Sequence, residues 1–274
     1  MTQSQLVRRS REARRRIIFN YPKSCQKNST SNPRPKLFIA VCESADILRG
    51  WSFLEACMGF RIDVKSIGQH RHWIVTGVGV AAFSLLFLRM SSFFWIEISV
   101  LVVLLCSLAF AADFQMMRRV VRLKRWPSGF CSACLGLVYA AILYGVCAFF
   151  FALIRFLFPF ATTEISNVYK LRVHADPLVT IVLLTVLIAP GEELFWRGYV
   201  QSAMERRFGT KGMIPAIAAY SLAHVASGNL MLVTAAAACG LFWAFLYWRY
   251  RSIRLNIITH TAWTVAVFIV WPLL

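Results

Sequence analysis

Apolar residues in this chain run in long unbroken blocks, not in the three-and-four spacing of a half-buried helix or the alternation of a half-exposed strand. Blocks near the roughly 17–25 residues that carry a helix across a bilayer recur along it. Spans are expected at Trp73–Leu88, Phe93–Ala112, Cys131–Ile154, Pro177–Val200, Gly212–Ser227, Leu230–Trp248 and Leu255–Val270. The first and fifth are short, so the count is about seven within a range of six to eight. The expected fold class is all-α, a polytopic transmembrane helical bundle. Ahead of the spans, residues 1–36 are basic and polar and read as a disordered tail. Residues 37–70 are only moderately apolar and carry Glu43, Asp46, Arg49 and Glu55, which suits an amphipathic or interfacial segment. No secretory signal is visible, because Ile17–Phe19 is too short for an apolar core.

Composition agrees with a membrane protein: 58% of residues are hydrophobic and only 15% charged, against about 25% charged in an average soluble domain. The net charge of +18 raises the question of nucleic acid, but its distribution answers against it. Basic residues gather in the first 36 positions, after the second span (Arg118, Arg119, Arg122, Lys124, Arg125), and in two later loops (Arg206, Arg207, Lys211; Arg249, Arg251, Arg254). With seven spans these all fall on one side, as cytoplasmic loops do. The N-terminus is therefore expected in the cytoplasm and the C-terminus outside, with the tail against anionic lipid headgroups and no nucleic-acid partner. The bilayer would be a plasma or inner membrane if the source is bacterial. Cys106, Cys147 and Cys239 lie within spans and read as small apolar residues. Cys131 and Cys134 form a C-x-x-C without a second pair or nearby histidine to complete a zinc set.

Polar residues interrupt the last four spans at three places. The first is Glu192, Glu193 and Arg197, inside the stretch APGEELFWRGYV at residues 189–200. Each ionisable group deep in a span costs roughly 2.5–3.5 kcal/mol on insertion scales, so three within six residues call for a chemical reason. Glu193 and Arg197 share a helix face and can pair. Glu192 lies roughly 100° around the helix from Glu193 and stays free for proton transfer. The second place is Tyr220 and His224, and the third is His260 with Thr264 one turn on. Other intramembrane protease chemistries lack their residues. No span offers two aspartates, Val225-Ala-Ser227-Gly228 lacks the first glycine of a serine-protease motif, and His-Glu-x-x-His is absent.

The ordered set of Glu192-Glu193-x-x-x-Arg197, an aromatic four residues before His224, and a late His260 resembles the CAAX-protease and bacteriocin-processing family of intramembrane endopeptidases, over about residues 130–274. Residues 71–130 would then be N-terminal transmembrane helices and 131–274 the peptidase domain. The resemblance implies that Glu192 activates the attacking water, His224 helps hold it, His260 stabilises the oxyanion, and Glu193 and Arg197 support the site. The family usually has Phe where this chain has Tyr220, and Asn where it has Thr264. The second change replaces an amide donor by a shorter hydroxyl. Losing one oxyanion donor costs about 10²–10³ in rate. No cofactor is favoured. Glu192, His224 and His260 could alternatively coordinate zinc with an open fourth position. The expected substrate is a membrane-associated protein or peptide, processed in CAAX fashion or as a bacteriocin or sorting signal. Two other functions compete: a catalytically impaired immunity or scaffold protein, and a transporter with a buried Glu/His relay.

Overall fold

Glycine, proline and a few capping side chains decide where the apolar blocks break into helices. The computed structural model describes residues 64–122, 129–172 and 176–273. The expected tail at 1–36 and nearly all of the interfacial segment at 37–70 lie outside these residues. Helix α1 runs over Val64–Arg89 and α2 over Phe94–Ala112. A short helix α3 follows at Phe114–Arg122, where only a basic loop was expected. It buries Met116, Met117 and Val120 and turns Arg118, Arg119 and Arg122 outward. That two-sided pattern is the reason it coils. Helix α4 spans Gly129–Leu157 and α5 Phe160–Tyr169. The long helix α6 covers 177–208, α7 Met213–Val225, α8 Leu230–Tyr250, and α9 Ile253–Val265 with a wider last turn to Val270. No strand occurs among the described residues.

Caps fix the starts of three of these helices. The Asp176 carboxylate accepts the backbone N–H of Leu178 at 2.8 Å and of Val179 at 3.0 Å, with Pro177 in the first turn. Asn229 accepts from Leu232 N–H at 2.8 Å, and Ser252 from Leu255 N–H at 3.3 Å. Each satisfies a donor the first helical turn cannot pair internally.

Among the described residues, six helical segments are long and apolar enough to cross a membrane. The fourth, Pro177–Val225, is 49 residues long and holds two of the expected spans. It does not continue straight. Gly209 takes φ +61°, and a Cβ on Gly212 would sit 2.3 Å from the Met204 carbonyl carbon, so the chain folds back and α7 packs against α6. A 13-residue α7 is only about 20 Å long, the shortest of the expected spans.

Close contact between helices comes from small residues, because lipid supplies no hydrophobic drive for apolar helices to associate. A Cβ on Gly191 of α6 would lie 2.8 Å from Val102 of α2, and one on Gly240 of α8 would lie 2.8 Å from the Tyr220 ring of α7. Around these approaches Phe83, Phe195, Trp196, Tyr199 and Trp243 are almost fully buried. The lipid-facing surface of α4 presents Phe130, Leu137, Val138, Phe149 and Phe150.

Candidate active site

Helix α6 is locally wide on both sides of Glu192. π-helical turns occupy Leu184–Ile188 and Glu193–Gln201, with one short α turn, Ala189–Glu192, between them. Pro190 sits in that turn. Its ring lacks an N–H and would strike the carbonyl four residues back in a regular helix. A wider turn before it relieves the conflict, and such turns recur at functional sites.

The two glutamates have different surroundings. Glu193 is fully buried and completely engaged. Its Oε1 meets His260 Nδ1 at 2.8 Å and lies 3.3 Å from Arg197 Nη1, and its Oε2 accepts from Asn256 Nδ2 at 3.0 Å. Arg197 in turn donates to the Gly240 carbonyl at 3.3 Å, and its guanidinium lies 4.5 Å from the Tyr220 ring centre and 5.4 Å from that of Trp243. A buried charge survives only when paired and hydrogen-bonded, and Glu193 and Arg197 meet that condition together.

Among the described residues Glu192 has one side-chain partner, the Tyr220 hydroxyl, which donates to its Oε2 at 3.3 Å. It lines a cavity of about 120 Å³ together with Tyr220, His224, His260 and Thr264. The remaining walls are apolar, among them Phe87, Ile188, Trp243 and Phe268. Glu192, His224 and His260, the three residues expected to react, thus line one cavity with Tyr220 and Thr264, whereas Glu193 does not line it.

The histidines are held by opposite means. His224 Nδ1 lies 2.9 Å from the Tyr220 backbone carbonyl. A carbonyl can only accept, so Nδ1 carries the proton and Nε2 of the neutral ring is an acceptor. The ring rests against Phe87 at 4.5 Å and Tyr220 at 4.9 Å between centres. His260 is clamped by Glu193 at one edge and stacked on Trp243 at 3.8 Å and 24°. Thr264 is buried, and its hydroxyl has no hydrogen-bond partner among the described residues.

Asn256 was not among the expected site residues. It lies one turn before His260, donates to both Glu193 and the Trp243 carbonyl (2.8 Å), and is fully buried. An asparagine near a helix start carries no sequence signal for this role, because its partner is 63 positions away.

Among the described residues no three His, Cys, Asp or Glu side chains are gathered as a ligand set for a metal ion. Glu192, His224 and His260 line one cavity but are not gathered as such a set.

Residues 174–266 match the family model described as Rce1-like, type II CAAX prenyl endopeptidase Rce1-like. The likeness is confined to this segment. It holds Glu192, Glu193, Arg197, Tyr220, His224, His260 and Thr264 and about a third of the chain. At the level of the family, the match supports a CAAX-type intramembrane protease acting on membrane-associated substrates. The six apolar segments agree with an integral, multi-pass membrane protein. No curated protein and no solved structure matches the chain.

Proposed function

We propose that the chain is a glutamate-type intramembrane endopeptidase in which Glu192 activates water. The observation that carries this is the unequal placement of two adjacent glutamates: Glu193 is consumed by Arg197, His260 and Asn256, while Glu192 faces the cavity with one weak partner. Glu192 takes a proton from water, and the water oxygen bonds to the scissile carbonyl carbon. The carbonyl π electrons move onto oxygen to give the tetrahedral oxyanion. Its collapse breaks the C–N bond, and Glu192 returns the proton to the leaving nitrogen. An apolar chamber strengthens each electrostatic contact in this sequence. His224 accepts a hydrogen bond from the water through Nε2, which orients it without taking a proton. His260 steadies the oxyanion through Nε2–H, a role that needs its imidazolium form, because Nδ1–H already goes to Glu193. Glu193 supplies the counter-charge for that cation. The free Thr264 hydroxyl is a second donor toward the same cavity.

Substrates of this reaction are membrane-associated proteins or peptides, processed in CAAX fashion or as bacteriocin or sorting signals. The N-terminus lies in the cytoplasm with its basic tail on anionic headgroups, and the C-terminus lies outside. The decisive comparison is cleavage of a membrane-embedded peptide library by wild type, Glu192→Gln and His224→Ala. Activity should fall at least about 10²-fold in both variants, with the helical circular-dichroism signal unchanged. Cleavage retained by Glu192→Gln would overturn the mechanism. Absence of cleavage by every folded variant, wild type included, would favour a non-catalytic immunity or scaffold role, and solute flux lost on the same changes a transporter.

A further inference from the structure

A second cleft, remote in composition from the active-site cavity, opens where the start of α1 meets the end of α6. It has a volume of about 230 Å³ and is lined by Arg71, His72, Trp73, Met204, Arg206 and Arg207. Three guanidinium groups thus converge on a space about twice the size of the catalytic chamber.

Their charge is only partly balanced. Asp113, at the junction of α2 and α3, accepts from Arg206 at 2.8 Å and from Arg71 at 3.3 Å through the same oxygen. His72 adds no charge in this arrangement. Its Nε2 is approached by Arg206 Nη2 at 3.3 Å and Arg71 Nε at 3.5 Å, both of which can only donate, so Nε2 accepts. Its Nδ1 then donates to the Tyr199 hydroxyl at 3.1 Å. Arg207 has no carboxylate partner among the described residues, and its guanidinium lies over the Phe208 ring at 5.6 Å. Three cations face one anion, and the cleft is left about two positive charges in excess.

The position of the cleft selects the ligand. It sits where the first apolar segment begins, at His70. Trp73, which lines the cleft, meets Phe208 edge to face at 6.0 Å, and the two rings are exposed at 39% and 45%. Aromatic rings of this kind settle at headgroup level, and arginines in basic pockets at helix ends capture phosphate with forked donors. We propose that this cleft binds the phosphate of an anionic phospholipid headgroup, with Arg207 and Arg206 as the donors and Asp113 holding Arg206 and Arg71 in place. Bound there, the lipid would tie α1 to α6, the helix that carries Glu192.

The test uses the full chain in neutral detergent with dihexanoyl-phosphatidylglycerol as probe, read by native mass spectrometry. Wild type should retain one lipid saturably. Arg207→Gln should weaken retention about tenfold, the loss of one charge-assisted contact. Arg118→Gln, which removes an exposed charge on α3, should leave it unchanged. Inorganic phosphate at equal concentration should not displace the lipid. Equal weakening by Arg118→Gln and Arg207→Gln, or binding that never saturates, would reduce the cleft to a diffuse basic surface and overturn the proposal. Displacement by phosphate as effective as by lipid would overturn the lipid assignment in favour of a free-phosphate site.

Discussion

Glu193 is met by a cation at 3.3 Å, an imidazole at 2.8 Å and an amide at 3.0 Å, and it does not line the cavity that Glu192 faces. Its work is to hold His260 and Arg197 at fixed places. Removing Asn256 should therefore act through structure before chemistry. In Asn256→Ala one Glu193 oxygen loses its donor in a fully buried position, at a cost of about 1–3 kcal/mol. Intrinsic fluorescence in detergent should report a lower melting temperature than wild type. Tyr220 makes the converse point. Its hydroxyl reaches Glu192 at 3.3 Å, a long bond, and the related family usually has phenylalanine there. Tyr220→Phe should keep cleavage within about tenfold of wild type, since a neutral hydrogen bond contributes about 1 kcal/mol; a loss as deep as that of Glu192→Gln would make the hydroxyl part of the chemistry. Pairing of Glu193 with Arg197 was readable from their four-residue spacing. The contacts to His260 and Asn256 were not, because they join helices 60 or more positions apart.

At the scale of the element, α6 decides the geometry. Its π turns before and after Ala189–Glu192 set where Glu192 emerges, and Pro190 makes a regular α-helix there costly. The helices around it approach through glycine. Gly240→Ala would press a methyl into the Tyr220 ring at 2.8 Å. Overpacking of this kind costs about 1–3 kcal/mol, and the displaced ring lines the cavity that Glu192 faces. Both melting temperature and cleavage rate should fall. Gly77→Ala, with nothing within 4 Å of the added carbon, should change neither. Helix starts are held by capping side chains that the structure reveals, Asp176 with Pro177 foremost. The fold-back at Gly209 was anticipated as a gap between two spans, but α3 was not: nine residues with four basic or polar ones in their outer face look like a loop until Met116, Met117 and Val120 are buried.

Across the whole molecule, Asp113 joins the start of α1 to the end of α6 through Arg71 and Arg206. Burial alone would raise its carboxyl, but the Met116 N–H, Arg206 and Arg71 outweigh burial and hold it below the usual aspartate value. The folded value therefore lies under the unfolded one, about 3.9. The stabilisation is complete at neutral pH and is lost as pH falls through the folded value. Acidification below about pH 4 should lower the wild-type melting temperature more steeply than that of Asp113→Asn, which should start lower at neutral pH. Equal slopes would show that Asp113 does not couple these helices.

The chain by itself determined its solvent and marked the ionisable groups that need partners there. Blocks of apolar residues too long and too continuous for a soluble core made a membrane bundle the low-energy outcome, and buried Glu, Arg and His are too costly in lipid to stand without partners. Spacing along one helix also separated Glu193 from Glu192. Tertiary structure alone decided which polar groups meet. It placed Glu192, His224, His260 and Thr264 around one cavity, turned Glu193 away to Asn256 and His260, and gathered Arg71, Arg206 and Arg207 at a second cleft. The reason is physical. Which face a helix shows to lipid and which to its neighbours depends on where glycine permits close approach, and that is a property of two surfaces together.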